Sequence, residues 1–212
     1  MTSRPLNEAD HTRIAEAIRD AERRTSGEIY AVLARRSDSY FYVAGFTVAC
    51  GILLAAVLVA VAAHWYWYTI PLPVFGIAIL AAFLAAVLVL WLFPSVTMWL
   101  VPRRIRYKRA HLNAIQQFLA RNVHRTSERT GVLLFVSLAE RYAEVIADAG
   151  INAKVNQDEW NGIVVILTNH AERDDLASGF VKAIEKSGSL LEEHFPVSAQ
   201  DMNELDDHLV EL

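Results

Sequence analysis

The chain has 212 residues, of which 54% are hydrophobic, and a formal net charge of −4. That apolar fraction is too high for an ordinary soluble domain, while the arrangement of charge along the chain fits a membrane surface better than nucleic acid. The excess is concentrated: residues 39–102 contain no Asp, Glu, Lys or Arg. The single cysteine, Cys50, excludes an intramolecular disulfide and suits a reducing compartment.

Charge is also distributed unevenly. Residues 1–38 hold seven basic and seven acidic side chains, residues 103–130 hold eight and one, and residues 131–212 hold five and sixteen. The basic block abuts the apolar stretch, which fits an anionic membrane surface. The first 24 residues are polar and contain no apolar signal core.

In chain order, Glu8–Arg24 predicts an amphipathic helix with Ile14, Ala17, Ile18 and Ala21 on one face. Thr25-Ser26-Gly27 stops it, and Glu28–Ala34 reads as a strand. Phe41–Ala63 is long enough, at about 1.5 Å per residue, to cross a bilayer as a helix. A second such segment runs from Val74 to Phe93, with Pro94 ending or kinking it. Trp65, Tyr66, Trp67 and Tyr68 in the linker read as an interfacial belt. Arg35 and Arg36 precede the first span, and Arg103, Arg104, Arg106, Lys108 and Arg109 follow the second; the linker has no Lys or Arg. The positive-inside rule then puts both termini in the cytoplasm. Ala78, Ala82 and Ala86 on the second span and Gly51 and Ala55 on the first predict a close hairpin. With no acid or base at depth, the hairpin reads as an anchor and not a transport path.

Beyond the hairpin, Arg103–Arg125 predicts a helix with Leu112, Ile115 and Leu119 on one face. Val132–Leu138 is a near-continuous apolar run, suited to a strand covered on both faces. Like the first strand, it follows an Arg-Thr pair: Arg24-Thr25 and Arg129-Thr130. Residues 139–142 turn the chain, and Ala143–Ile151 alternates as a half-buried antiparallel strand. Helices are expected at Gln157–His170 and Gly179–Glu193, with a short acidic helix closing the chain. The first two strands and the connection between them form a βαβ unit, parallel and right-handed. The apolar hairpin is an insertion within that crossover, where added length costs little closure entropy. The organisation expected is 1–38 as the start of an α/β domain, 39–102 as the hairpin and 103–212 as the rest: a small mixed sheet flanked by helices.

The segments GVLLFVSLAERYAEVIADAGI, EWNGIVVIL, FVKAIEKSGSLLEEHFP and NELDDHL, with the upstream TSGEIYAVL, resemble the TPM domain in its membrane-bound bacterial branch. The resemblance covers nearly all residues outside the hairpin. It implies an α/β sandwich in the bacterial inner membrane. Relatives variously suggest acid phosphatase activity, divalent-cation binding with Ca²⁺ or Mg²⁺, or roles in membrane-protein assembly and repair. Soluble members open with a Val-x-Asp-x-Ala-like stretch, where this chain has Pro5-Leu6-Asn7-Glu8-Ala9-Asp10.

Asp148 is the chief candidate residue. A carboxylate at a strand end before Gly150 can ligate a divalent cation or serve phosphoryl chemistry, or simply cap the turn. Glu28, at the start of the first strand, is the second candidate metal ligand, or a solvated strand end. Arg129 or Arg141 would supply positive charge to a phosphoryl group. Asn203, Glu204, Asp206 and Asp207 form an alternative oxygen-rich stretch. His194 suits the C-terminus of a helix better than a ligand role. NQDEWNG lacks the glycine and closing acid of an EF-hand loop, and phosphate-loop, GxGxxG, GxSxG and CxxC patterns are absent. The expected function is a membrane-anchored module binding the bilayer and other membrane or cytoplasmic proteins, with phosphomonoesterase activity as the alternative.

Overall fold

A computed structural model describes residues 6–126, 129–197 and 207–212. It divides into two compact units, one of Met1–Ser37 with Tyr107–Leu212, the other of Asp38–Arg106. Eight α-helices and four strands are formed among the described residues.

The first unit is built on strands β1 (Glu28–Ala34), β2 (Gly131–Ser137), β3 (Tyr142–Ala147) and β4 (Leu209–Glu211), in the order β3-β2-β1-β4. β1 and β2 are parallel, with Glu28 opposite Gly131 and Ala34 opposite Ser137, and β3 is antiparallel to β2. Both central strands are buried along their whole length, as continuous apolar runs require.

Alternate residues serve two cores. Ile29, Ala31, Leu33, Val132, Leu134 and Val136 face α1 (Glu8–Glu22), α7 (Gln157–Glu172) and α8 (Leu176–His194). Tyr30, Val32, Leu133 and Phe135 face α5 (Arg103–Ala120) through Ala114 and Phe118. The expected sandwich is therefore three layered, with the sheet in the middle. Local chemistry sets the helix ends. The Asn7 side chain accepts from the Asp10 N–H while Asp10 reaches back to the Asn7 N–H, a capping box. α5 stops earlier than its periodicity suggests because Asn122 turns left-handed at φ 57°, and a 3₁₀ turn at Val123–Arg125 follows.

Two elements differ from expectation. β3 ends at Ala147, not Ile151, and Ala149–Asn152 forms the short helix α6. The closing segment is not helical at Leu209–Glu211; it pairs as β4, parallel to β1. Asn203, Glu204 and Asp206 lie outside the described residues.

The second unit contains α2 (Phe41–Trp65), α3 (Leu72–Leu92) and α4 (Pro94–Leu100). α2 and α3 are long and apolar enough to cross a membrane. Their faces are not buried: Leu54, Leu58, Leu80 and Leu84 are each more than half exposed. Phe93 is extended because the following proline excludes it from the helical region, so Pro94 opens a new helix. Tyr40, Ala44, Leu90 and Val101 close a small core at the base of the hairpin. Most of the small-residue row is not the packing face: a Cβ on Gly51 would meet nothing within 4 Å, and Ala55, Ala78 and Ala82 are exposed, while Ala86 is partly buried. The less exposed face of α2 runs instead through Val48, Ile52 and Ala56.

Candidate functional site

The two ends of the sheet are built differently. At the end where β1 and β2 begin, the two Arg-Thr turns hold one another. The Thr130 hydroxyl donates to Ser26 O at 2.9 Å and the Glu28 N–H donates to Thr130 O at 3.1 Å. Thr25, also buried, donates through its hydroxyl to Phe195 O at 2.6 Å, tying β1 to the end of α8.

Glu28 is 6% exposed, so it is not a solvated strand end. Asp148 lies just past β3 and caps α6. Its Oδ1 accepts the Ala149 N–H at 2.6 Å, while Oδ2 is buried without a hydrogen-bond partner. Its backbone N–H donates to Gly131 O, so Gly131 stands between Asp148 and Glu28 in the register. The 3₁₀ turn covers that gap: a Cβ on Gly131 would lie 2.1 Å from Val123 O. The carboxylates therefore flank a filled position. Among the described residues no group of three or more His, Cys, Asp and Glu is arranged to hold a metal. Asp148 Oδ2, buried and without a hydrogen-bond partner, is an oxygen that a cation could take.

Arg129, left-handed at φ 55° and exposed, shares this end of the sheet. Arg141 does not. It follows β2, whose seven residues span roughly 20 Å at about 3.3 Å each. The proposed phosphoryl set thus falls into two groups, Asp148 with Arg129 at one end and Arg141 at the other.

Glu22 joins Glu28 and Asp207 in an acidic cluster near the first end, and nothing in its sequence setting on α1 marked it as part of a site. Burial pushes the Glu22 carboxyl up to about 9, with Glu28 and Asp207 adding to the rise and the Ile29 N–H opposing it. Glu22 Oε1 accepts that N–H at 3.0 Å, and Asp207 pairs with Arg19 at 3.2 Å.

At the opposite end the chain encloses Glu140, 2% exposed. The Ser137 hydroxyl donates to Glu140 Oε2, the Ser37 N–H donates to Oε1 at 3.1 Å, and the two serine hydroxyls are 2.8 Å apart. Beside this network opens a recess of about 310 Å³. Its walls are Val136, Leu138, Ala143 and Ala171, with Tyr142, Thr168, Arg141 and Glu172 contributing polar groups. Arg141 is held left-handed at φ 52° in the turn after β2, its N–H donating to Leu138 O. The Tyr142 hydroxyl donates to Glu144 at 2.9 Å, and Glu144 also bonds His111 Nδ1 at 2.8 Å. Burial first, then the Glu144 charge, hold that hydroxyl well above its ordinary titration range. An apolar recess with a few convergent polar groups is suited to seizing a side chain or small amphipathic molecule. Glu140 gave no sequence signal beyond being a charged residue in a turn, the ordinary place for a solvated one.

Fold and site together define a mixed α/β domain interrupted by two helices of membrane-crossing length. No family model matches the chain, and no curated protein does. The structure is similar to the NMR structure of the BA42 protein from the psychrophilic bacterium Bizionia argentinensis, at 19% identity and a TM-score of 0.60. The match covers 100% of this chain and 99% of that one. At such identity the likeness speaks for the fold alone.

Proposed function

We propose that the chain is a membrane-anchored TPM-like module of the bacterial inner membrane, with both termini cytoplasmic, whose sheet domain binds partner proteins in membrane-protein assembly or quality control. The supporting observation is the exposure of α2 and α3: leucines along both helices face outward, as they would on helices set in hydrocarbon. The cations at both ends of the apolar stretch, and none in its linker, support the orientation. The recess near Arg141 and Thr168 supplies a place for a partner's apolar anchor residue, bordered by charge. Carbonate extraction and terminal reporters test the anchoring; release by carbonate, or a terminus read as external, sinks it. Crosslinking in intact membranes followed by gentle solubilisation tests partner binding. Crosslinked species that disappear in Thr168→Trp, which fills the recess, are the expected result, and recovery of the bare chain alone counts against it.

One observation favours a second reading, divalent-cation binding with or without phosphomonoesterase activity. It is the unpartnered, buried Oδ2 of Asp148. One carboxylate supplies few of the six to eight oxygens that Ca²⁺ takes, so the expected affinity is weak, in the range of about 10⁻⁴–10⁻³ M. A melting temperature that stays flat through millimolar calcium and magnesium ends this reading.

A further inference from the structure

We propose that the base of the hairpin is a docking collar for anionic phospholipid headgroups, held by Arg103, Arg104 and Arg106. The inference rests on the membrane reading above and adds the lipid class to it.

These three arginines open α5, whose first turn contains no acid. They stand at the positive end of the helix dipole, where cations are disfavoured unless an anion offsets them. None of the three forms an ion pair among the described residues, and Arg106 Nε is shielded from solvent without a hydrogen-bond partner. The helical unit contains one acid, Asp38.

Their position is fixed within that unit. Val101, two residues before Arg103, is buried with Tyr40, Ala44 and Leu90 at the base of the hairpin. The Tyr40 hydroxyl donates to Arg106 O at 3.4 Å, holding the first turn of α5 against the start of α2. Trp99, 86% exposed on α4, lies at the same junction. An exposed tryptophan next to unpaired guanidinium groups, at the end of apolar helices, matches the depth profile of a leaflet: hydrocarbon, then interface, then phosphate. The guanidinium fork suits a phosphate oxygen pair. A lipid is favoured over free phosphate because the apolar helices hold headgroups at this level permanently.

The test uses the full chain in a neutral detergent. Added phosphatidylglycerol should raise the melting temperature by several degrees. Phosphatidylcholine of matched chains and inorganic phosphate should not. The combined variant Arg103→Gln, Arg104→Gln, Arg106→Gln should lose most of the response, while Arg23→Gln, on α1, keeps it. Equal responses to the two lipids, an equal response to inorganic phosphate, or a full response in the triple variant would each overturn the proposal. Flotation with phosphatidylcholine vesicles separately tests the membrane reading: failure to float with any vesicle defeats that reading, whereas flotation without a phosphatidylglycerol preference defeats only this one.

Discussion

The two ends of one short sheet have opposite characters. Where β1 and β2 begin, backbone fills the space: the two Arg-Thr turns bond each other and Val123 covers Gly131. Where they end, the chain buries a carboxylate and leaves a recess beside it. The first end holds most of the acids that a sequence reader would pick as a site, yet its space is occupied. The second carries the concavity, on residues that read as a plain turn. Candidate residues are thus a poor guide to where a parallel sheet leaves room. Ligands commonly enter at the carboxyl ends of the strands, and the recess is found there.

The largest effect should come from filling the closed end further. Gly131→Ala places a methyl 2.1 Å from a backbone oxygen, so the 3₁₀ turn or the strand must move. A loss of about 3 kcal/mol or more is expected from denaturant unfolding. Gly162→Ala is the counter-case: its Cβ meets open space on α7, and a gain of roughly 0.5–1 kcal/mol should follow. A neutral Gly131→Ala would mean the end is looser than its contacts indicate.

At the open end, Glu140→Ala should cost about 2–3 kcal/mol, because the Ser137 hydroxyl and Ser37 N–H lose their acceptor. Glu140→Gln retains an acceptor oxygen and should cost less. Equal losses for both variants would show that the charge, not the bonding, matters.

Titration separates the ends again. The Glu22 carboxyl is raised from 4.5 to about 9, so the folded state holds a proton that the unfolded chain releases. Its contribution is complete below about 4.5 and is lost as pH rises through about 9. Melting temperature should therefore fall across that window, and Glu22→Gln should flatten the decline. An unchanged slope in that variant would assign the pH dependence to other groups.

A small loss is expected at Asp148. Asp148→Ala removes a helix cap and should cost about 1 kcal/mol. If it also abolishes a calcium-dependent rise in melting temperature, the closed end keeps a ligand role. If the rise persists, the cation sits elsewhere.

Much of the fold could be read from local pattern. The apolar run at Val132–Leu138 declares a strand buried on both faces, and the uncharged stretch before Pro102 declares two helices long and apolar enough to cross a membrane. The alternation after Ala143 declares a strand but not its burial, since every residue of β3 is partly buried. The parallel pairing of β1 and β2 followed from a connection too long for a hairpin. The site was less legible. Asp148 and Arg141 are seven residues apart in sequence, but β3 runs between them and puts them at opposite ends of the sheet. β4 is only three residues long and exists through its pairing with the edge of β1, so its own sequence has too short a period to reveal it. Gly51 and Ala55 formed a plausible packing row, but which face of α2 turns inward was decided by the small core at Tyr40, Ala44, Leu90 and Val101. Glu140 is the clearest case. Ser37 lies about a hundred residues earlier in the chain, and the carboxylate becomes a buried anchor only because the parallel strands bring Ser37 beside Ser137. Periodicity is a property of neighbours along the chain, so sequence alone determined the longer elements and their apolar faces; the short β4 and the meeting of polar groups depend on loop closures between distant segments, and only the tertiary structure decided those.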